Sequence, residues 1–302
     1  MTSGIKTRPS CSDPVVLNEW HPISALSEIA VDRVHRTVLL DDPISYTRSS
    51  ANEPLVWASG DEAVGDRCDP ATVIAALPTR VKFGYVWATF GTPGHEIFDI
   101  DECNESDRRM LNGGSIMVSV SAPRAVENFL DMGHFPYIHT GILGAEPRSE
   151  VAEYDVEVTD NQVLATGCLF YQPQASAAAS GGQMTEYTYR VPHPYCVMLY
   201  KSVPTNPSRK DVIALFNQPM GHERIRAHNY LCMVDETNSD SSLKRFQQLI
   251  FGQDKTILES QWPRRLPLDP RSETPIRADR SAIAYRRWLS AKGLTYAVIA
   301  AS

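Results

Sequence analysis

No Cys-x-x-Cys pair occurs anywhere in the 302-residue sequence. The six cysteines, Cys11, Cys68, Cys103, Cys168, Cys196 and Cys232, are scattered. That excludes a zinc knuckle or a dense disulfide framework and leaves six free thiols, as expected of a cytosolic chain. No apolar run is long enough to cross a bilayer, and Met1 to Pro14 lack the apolar core of a signal peptide. A cytoplasmic protein is expected. Positive charge is in deficit: 29 Lys and Arg against 36 Asp and Glu give a net charge of −7. Such a chain is ill suited to nucleic acid, and nothing in it points to a membrane surface. No internal repeat is visible, which excludes a solenoid. What remains is ordinary, with 42% hydrophobic and 22% charged residues, enough for one large domain or two modest ones.

The most informative stretch runs from Asn128 to His139, NFLDMGHFPYIH. Asp131 and His134 are three apart and share a helix face. His139 lies five beyond His134, about 140° further round a straight helix. Pro136 disfavours helical geometry at Phe135, so a break there is expected to swing His139 back towards His134. Two converging imidazoles beside an acid begin a metal site. The alternative is a pair of buried histidines bonded to backbone. A second acid stands out on the helix expected over residues 241–261. Phe246, Ile250, Ile257 and Leu258 form its apolar stripe, and Asp254 falls on that stripe. A carboxylate there needs a metal or a partner such as an arginine.

Around these lie two kinds of chain. Residues 1–15 read as a flexible tail. Residues 38–40 and 44–48 read as short strands about a turn at Asp41-Asp42-Pro43, followed by a mostly polar passage over 49–69. Residues 91–114 read as loop, with Pro93 and Gly94 as breakers. Ser121 and Pro123 open the motif helix as N-cap and first-turn proline. Runs over 151–158, 163–171, 184–191, 196–203, 212–218 and 224–234 read as an antiparallel meander, with Asn206-Pro207 among its turns. Residues 172–182, rich in Ala, Ser and Gly, read as a mobile loop. A last helix covers 278–291. The class is α+β.

The Asn128–His139 stretch resembles the mononuclear-iron motif N-x-x-D-x-x-H-x-x-x-x-H of Rieske-type non-haem iron aromatic-ring oxygenases. The nearest subgroup is the demethylases of vanillate, dicamba and methylxanthines. Residues 253–261 resemble that family's C-terminal ligand helix, and 285–289 its closing segment. Residues 18–23, 73–78 and 81–90 resemble parts of its Rieske domain. The resemblance implies that His134, His139 and Asp254 hold Fe(II), that Asp131 links this iron to a Rieske cluster, and that Asn128 lies beside the iron. For Asn128 a plain helix-surface amide is the alternative. Two histidines and a carboxylate leave positions open for O2 beside a substrate. The implied fold is a Rieske-like β-domain over 16–95 and a helix-grip catalytic domain over 96–302, an antiparallel sheet with covering helices. An unrelated small β-domain is the other reading of 16–95. Phe170, Tyr187, Leu199 and Leu215 are expected to line the pocket from alternation alone, with the 172–182 loop at its mouth.

One departure matters. A Rieske cluster takes two Cys and two His, which the family supplies as C-x-H and C-x-x-H pairs. No cysteine here is followed by His at either spacing. The chain is therefore expected to hold no [2Fe-2S] cluster and to draw electrons, ultimately from NADH, through a Rieske-domain-bearing reductase. In this it resembles the oxygenase component of methylxanthine N7-demethylation. Related oxygenase subunits in a trimer or hetero-hexamer are further expected partners. The expected reaction is oxidative N- or O-demethylation of a small aromatic or purine substrate such as a methylxanthine, with release of formaldehyde. A non-catalytic structural subunit and a ligand-binding module of the same fold are the competing readings.

Overall fold

In the computed structural model, the described residues are 9–59, 62–174, 181–203 and 206–301. The N-terminal third carries a short helix, α1 (Pro14–Leu17), and two three-stranded sheets. One sheet pairs β1 (His21–Ala25), β6 (Tyr85–Ala88) and β5 (Thr79–Lys82), and the other β2 (His35–Leu39), β3 (Asp42–Arg48) and β4 (Pro54–Ala58). The seven-stranded antiparallel sheet of the remaining chain has the order β7-β13-β12-β11-β10-β9-β8. Its strands are β7 (Arg109–Val118), β8 (Asp155–Val158), β9 (Val163–Gln172), β10 (Gln183–His193), β11 (Cys196–Val203), β12 (Asn206–Gly221) and β13 (Arg224–Met233). The helices are α2 (Ala122–Leu130), α3 (Phe135–Ile138), α4 (Asp240–Ser260) and α5 (Arg280–Ala291). Among the described residues, no helix is long and apolar enough to cross a membrane.

The large sheet is covered on both faces, which is why its strands are apolar at most positions instead of alternating with polar ones. Cys196 and Met198 pack with Trp20, Tyr85 and Trp87 from the N-terminal third. The intervening Val197, with Tyr187 and Tyr189 on the next strand, packs into the cluster that holds Leu130 of α2 and Phe251 of α4. A strand's period of two thus gives the sheet a scaffold face and a helix face. The functional candidates lie on the helix face.

Several details depart from the expectations above. Residues 49–69 are not only polar passage, because Pro54–Ala58 supply the third strand of their sheet. The loop expected over 91–114 gives way to β7 at Arg109, an edge strand paired with β13. The first hairpin turns at Leu40 and Asp41, both at positive φ, with Asp42 already in the strand. Leu40 tolerates that conformation because it is fully buried and its N–H bonds Pro219 O at 2.8 Å. Asn206 and Pro207 lie within β12 instead of a turn. The tail is pinned from Ser10 onward. Asp13 caps α1 and accepts the N–H groups of Thr295 and Tyr296 at 2.6 and 2.7 Å. Gln172 closes β9, and residues 175–180 of the expected loop fall outside the described residues.

Candidate metal centre

Ser121 caps α2 through its side chain, with Pro123 in the first turn as expected. The helix ends at Leu130, earlier than the proline would dictate. Asp131 takes an extended conformation as C-cap, and its Oδ1 accepts Gly133 N–H at 2.6 Å. Pro136 breaks nothing. It sits in the first turn of α3, where its missing N–H costs no bond. Asp131 and His134 therefore meet through a turn, not along one helix face. One turn of α3 carries His139 round to its neighbour. Phe135 anchors the turn, edge-on to Phe170 with ring centroids 5.5 Å apart. Burying such a ring contributes roughly 2–3 kcal/mol.

Gly144 packs against the same turn. A Cβ there would lie 2.7 Å from Pro136 N and 2.8 Å from the Phe135 carbonyl carbon, both backbone atoms. Gly144→Ala must push the backbone between the two histidines. We expect it to lower iron affinity about tenfold or more and stability by about 1–3 kcal/mol. Iron content after dialysis and thermal unfolding read the two effects.

Asp254 comes from α4, whose buried positions are Leu243, Gln247, Phe251, Asp254 and Leu258. The core stripe is thus rotated from the one expected. Phe246 and Ile250 turn to the edge of a pocket instead, and Ile257 is half-buried. Asp254 is buried as anticipated, and its partners are two histidines and an amide, with no arginine among the described residues.

His134 Nε2, His139 Nε2 and Asp254 Oδ1 converge. The two nitrogens are 3.1 Å apart, and the oxygen lies 3.3 Å from the first and 3.1 Å from the second. Three cis donors about 2.1 Å from an octahedral ion stand about 3.0 Å apart, so the spacing fits one. The hydrogen positions agree. His134 Nδ1 faces Asp131 Oδ2 at 3.1 Å, and His139 Nδ1 faces Gln253 Oε1 at 2.8 Å. Both partners are acceptors, so each Nδ1 carries the proton and each Nε2 presents a lone pair. Two lone pairs and a carboxylate oxygen then point at one another, an arrangement that asks for a cation. Burial alone would lower the His134 imidazole, yet Asp131 and Asp254 outweigh it and lift it to about 9. Burial would raise the Asp254 carboxyl, and the two imidazoles pull it well below the usual carboxylate range. Without an ion, a proton supplies the positive charge that this cluster demands. Among the described residues it is the one group of His, Cys, Asp and Glu with metal-ligand spacing.

Asn128 donates from Nδ2 to Asp254 Oδ1 at 3.0 Å, so it touches the carboxylate and steers it. Asp131 is half-buried and reaches both His134 and the surface, where it borders a cleft with Arg124, Glu127, Trp262, Glu273 and Arg286. Arg124 and Arg286 there bridge Glu127 and Glu273, tying α2 to α5. Gln253 escaped the sequence reading, although a polar neighbour of a suspected ligand is where a supporting hydrogen bond is expected. Gly144 gave no signal, since its role depends on a contact eight residues back in the chain.

A cavity of about 70 Å³ lies between the cluster and the sheet. Tyr187 and Leu199 line it as expected, with Phe129, Phe246 and Ile250. Phe170 instead backs Phe135, and Leu215 pairs with Val197, two positions along from the Leu199 that reaches the cavity. The wall is not wholly apolar. Lys201 and Gln172 also face it, and burial pushes the lysine down to about 8 against the pull of Asp211.

Fold and cluster together are those of a mononuclear non-haem iron oxygenase. Residues 118–293 match the vanillate O-demethylase oxygenase C-terminal domain, and the chain belongs to this family of Rieske-type oxygenases. It is similar to the probable methylxanthine N7-demethylase NdmC of Pseudomonas sp. (strain TJI-51), at 41% identity over 93% of this chain and 96% of that protein. Methylxanthine N1-demethylase NdmA of Pseudomonas putida is 24% identical over 89% of this chain and 87% of its own. Among solved structures, Pseudomonas putida CBB5 NdmA with caffeine superposes with a TM-score of 0.73 at 19% identity, covering 91% of this chain and 90% of that one. Dicamba monooxygenase bound to dicamba gives 0.70 at 14% identity, covering 91% and 97%.

Proposed function

We propose that the chain is the catalytic component of a multi-component monooxygenase that demethylates a small N-methylated heterocycle such as a methylxanthine. His134, His139 and Asp254 are its Fe(II) ligands. The observation that carries this reading is the convergence of two imidazole lone pairs and a carboxylate oxygen on one point. A structural subunit or a metal-free binding module has no physical need for that arrangement, which without an ion must take up a proton to offset the repulsion of its lone pairs. The bound iron would supply O2 activation at its open face.

The chain's own residues do the rest. Gln253 and Asp131 fix the tautomers of the ligating histidines, and Asn128 holds Asp254 in orientation. Phe129, Phe135 and Tyr187 exclude water from the reacting methyl group. Overall, a methyl C–H becomes C–OH while O2 takes two electrons and two protons, and the other oxygen atom leaves as water. The N–CH2OH product then breaks its C–N bond, giving N–H and formaldehyde. O-demethylation would run the same way through a hemiacetal.

The electrons come from NADH through a Rieske domain on a partner. No cysteine of this chain has the histidine spacing that such a cluster needs. Asp131, which reaches from His134 to a surface cleft, is the point of electron entry. We take residues 16–95 as the remnant Rieske-like domain, 96–302 as the catalytic domain, and the working assembly as a cytoplasmic hetero-oligomer. With iron loading held equal, formaldehyde release and NADH oxidation should occur only when a Rieske-bearing reductase is added. Full turnover with a reductase lacking that centre would refute the partner assignment.

A further inference from the structure

The cavity beside the cluster holds a polar group that the iron site does not use. Gln172, at the end of β9, is 1% exposed and lines the cavity. Its Oε1 has no hydrogen-bond partner, and among the described residues its amide nitrogen makes no bond either. Leaving a buried amide unpaired costs about 1–3 kcal/mol. Such a group is expected to find its partner in a ligand. Whichever way the amide is turned, it offers one donor side and one acceptor side. Its complement is a neighbouring C=O and N–H on one edge of a ring. Lys201, on the strand beyond β10, adds a buried ammonium that can donate to a further substrate oxygen. The surrounding aromatic wall suits a flat ring.

We propose that Gln172 reads a –CO–NH– edge of the substrate, so that the site selects N-methylated lactam or imide heterocycles that keep an unmethylated ring N–H. The inference rests on the oxygenase reading of the site. A methoxybenzoate offers acceptors but no donor, so one side of the Gln172 amide stays unpaired. A heterocycle methylated at the facing nitrogen loses the donor and gains a clash.

The test is a binding cycle by calorimetry on the iron-loaded protein, under anaerobic conditions and without reductant. The probes are 7-methylxanthine, which keeps ring N–H groups, caffeine, which has none, and a methoxybenzoate. The wild type should bind 7-methylxanthine about 10- to 100-fold more tightly than caffeine, the equivalent of the 1–3 kcal/mol above. Gln172→Leu should weaken 7-methylxanthine by a similar factor and barely affect caffeine, so the two losses do not add. Gln172→Met, which keeps the length of the side chain without a strong donor or acceptor, should show the same loss of discrimination if the leucine variant fails to fold. Additive losses, tighter binding of the methoxybenzoate, or no binding of 7-methylxanthine would overturn the proposal. Formaldehyde release with a Rieske-bearing reductase is scored separately. If a methoxybenzoate is demethylated while Gln172 proves indifferent, the oxygenase reading stands and this inference falls.

Discussion

Asp131→Asn should leave the iron in place and remove turnover. The carboxylate has two neighbours that matter. Its Oδ2 accepts the His134 Nδ1 proton at 3.1 Å, and its Oδ1 accepts Gly133 N–H at 2.6 Å. An asparagine oriented by Gly133 would turn its NH2 group towards His134, placing a donor where the histidine needs an acceptor. To restore a hydrogen bond, His134 must shift its proton to Nε2, the atom that faces the cluster, or the amide must flip and lose Gly133. Either way the ligand is less well held, but His139 and Asp254 remain. Iron should persist at a reduced affinity. Turnover should fall about 100-fold or more, because the negative charge between His134 and the surface cleft is gone. The measurement pairs iron content with single-turnover product yield in the presence of the Rieske-bearing reductase. Iron loss as complete as in a His134 variant would make Asp131 a structural or ligating acid, and unchanged turnover would remove it from the electron path.

How much of this was legible in the sequence follows from what each feature depends on. The spacing of Asn128, Asp131, His134 and His139 is local, and so is the stripe that made Asp254 suspicious. Both survive. The mechanism inferred for the turn did not, because Pro136 can end one helix or begin another. Here Asp131, bonding Gly133, ends the first helix four residues before the second begins at Phe135. The helix stripe was set by Phe246 and Ile250, which are apolar but face the cavity. Gln247, polar yet the more deeply buried, lines the same cavity beside them. A pocket wall and a core wall have the same composition, and only the third dimension separates them. β7 went unseen for a related reason. As an edge strand with Asn112, Gly113 and Gly114 at its centre it lacks a strand's composition, and its pairing with β13 is a contact across more than a hundred residues. Gln172 was assigned to a loop because small polar residues follow it, although its own backbone pairs with Gln183.

The largest effect of all should come from His134→Ala, His139→Ala and Asp254→Ala, each of which is expected to reduce iron from about one per chain to near zero. In the wild type three donors would share the ion within a cluster whose spacings are 3.1 to 3.3 Å. Removing one leaves two donors and an opening to water, and weak bidentate sites do not hold Fe(II) through dialysis. Stability supplies a second readout that does not depend on activity. An ion that binds only the folded chain stabilises it by about 4 kcal/mol at a thousandfold excess over its dissociation constant. Wild-type protein should therefore melt several degrees higher with Fe(II) than without, and the three variants should show no such shift. The apo proteins should order differently. His139 and Asp254 are buried and bonded to each other, so removing either leaves Gln253 or Asn128 without its partner and costs about 1–3 kcal/mol. In Asp254→Ala the positive charge that Asp254 helps to hold on His134 also loses one of its two carboxylates, which should lower the apo protein further at neutral pH than at pH 10, where that proton has already left. Iron retained at full occupancy by all three variants, together with an unchanged Fe(II)-induced shift in Tm, would show that the ion sits elsewhere.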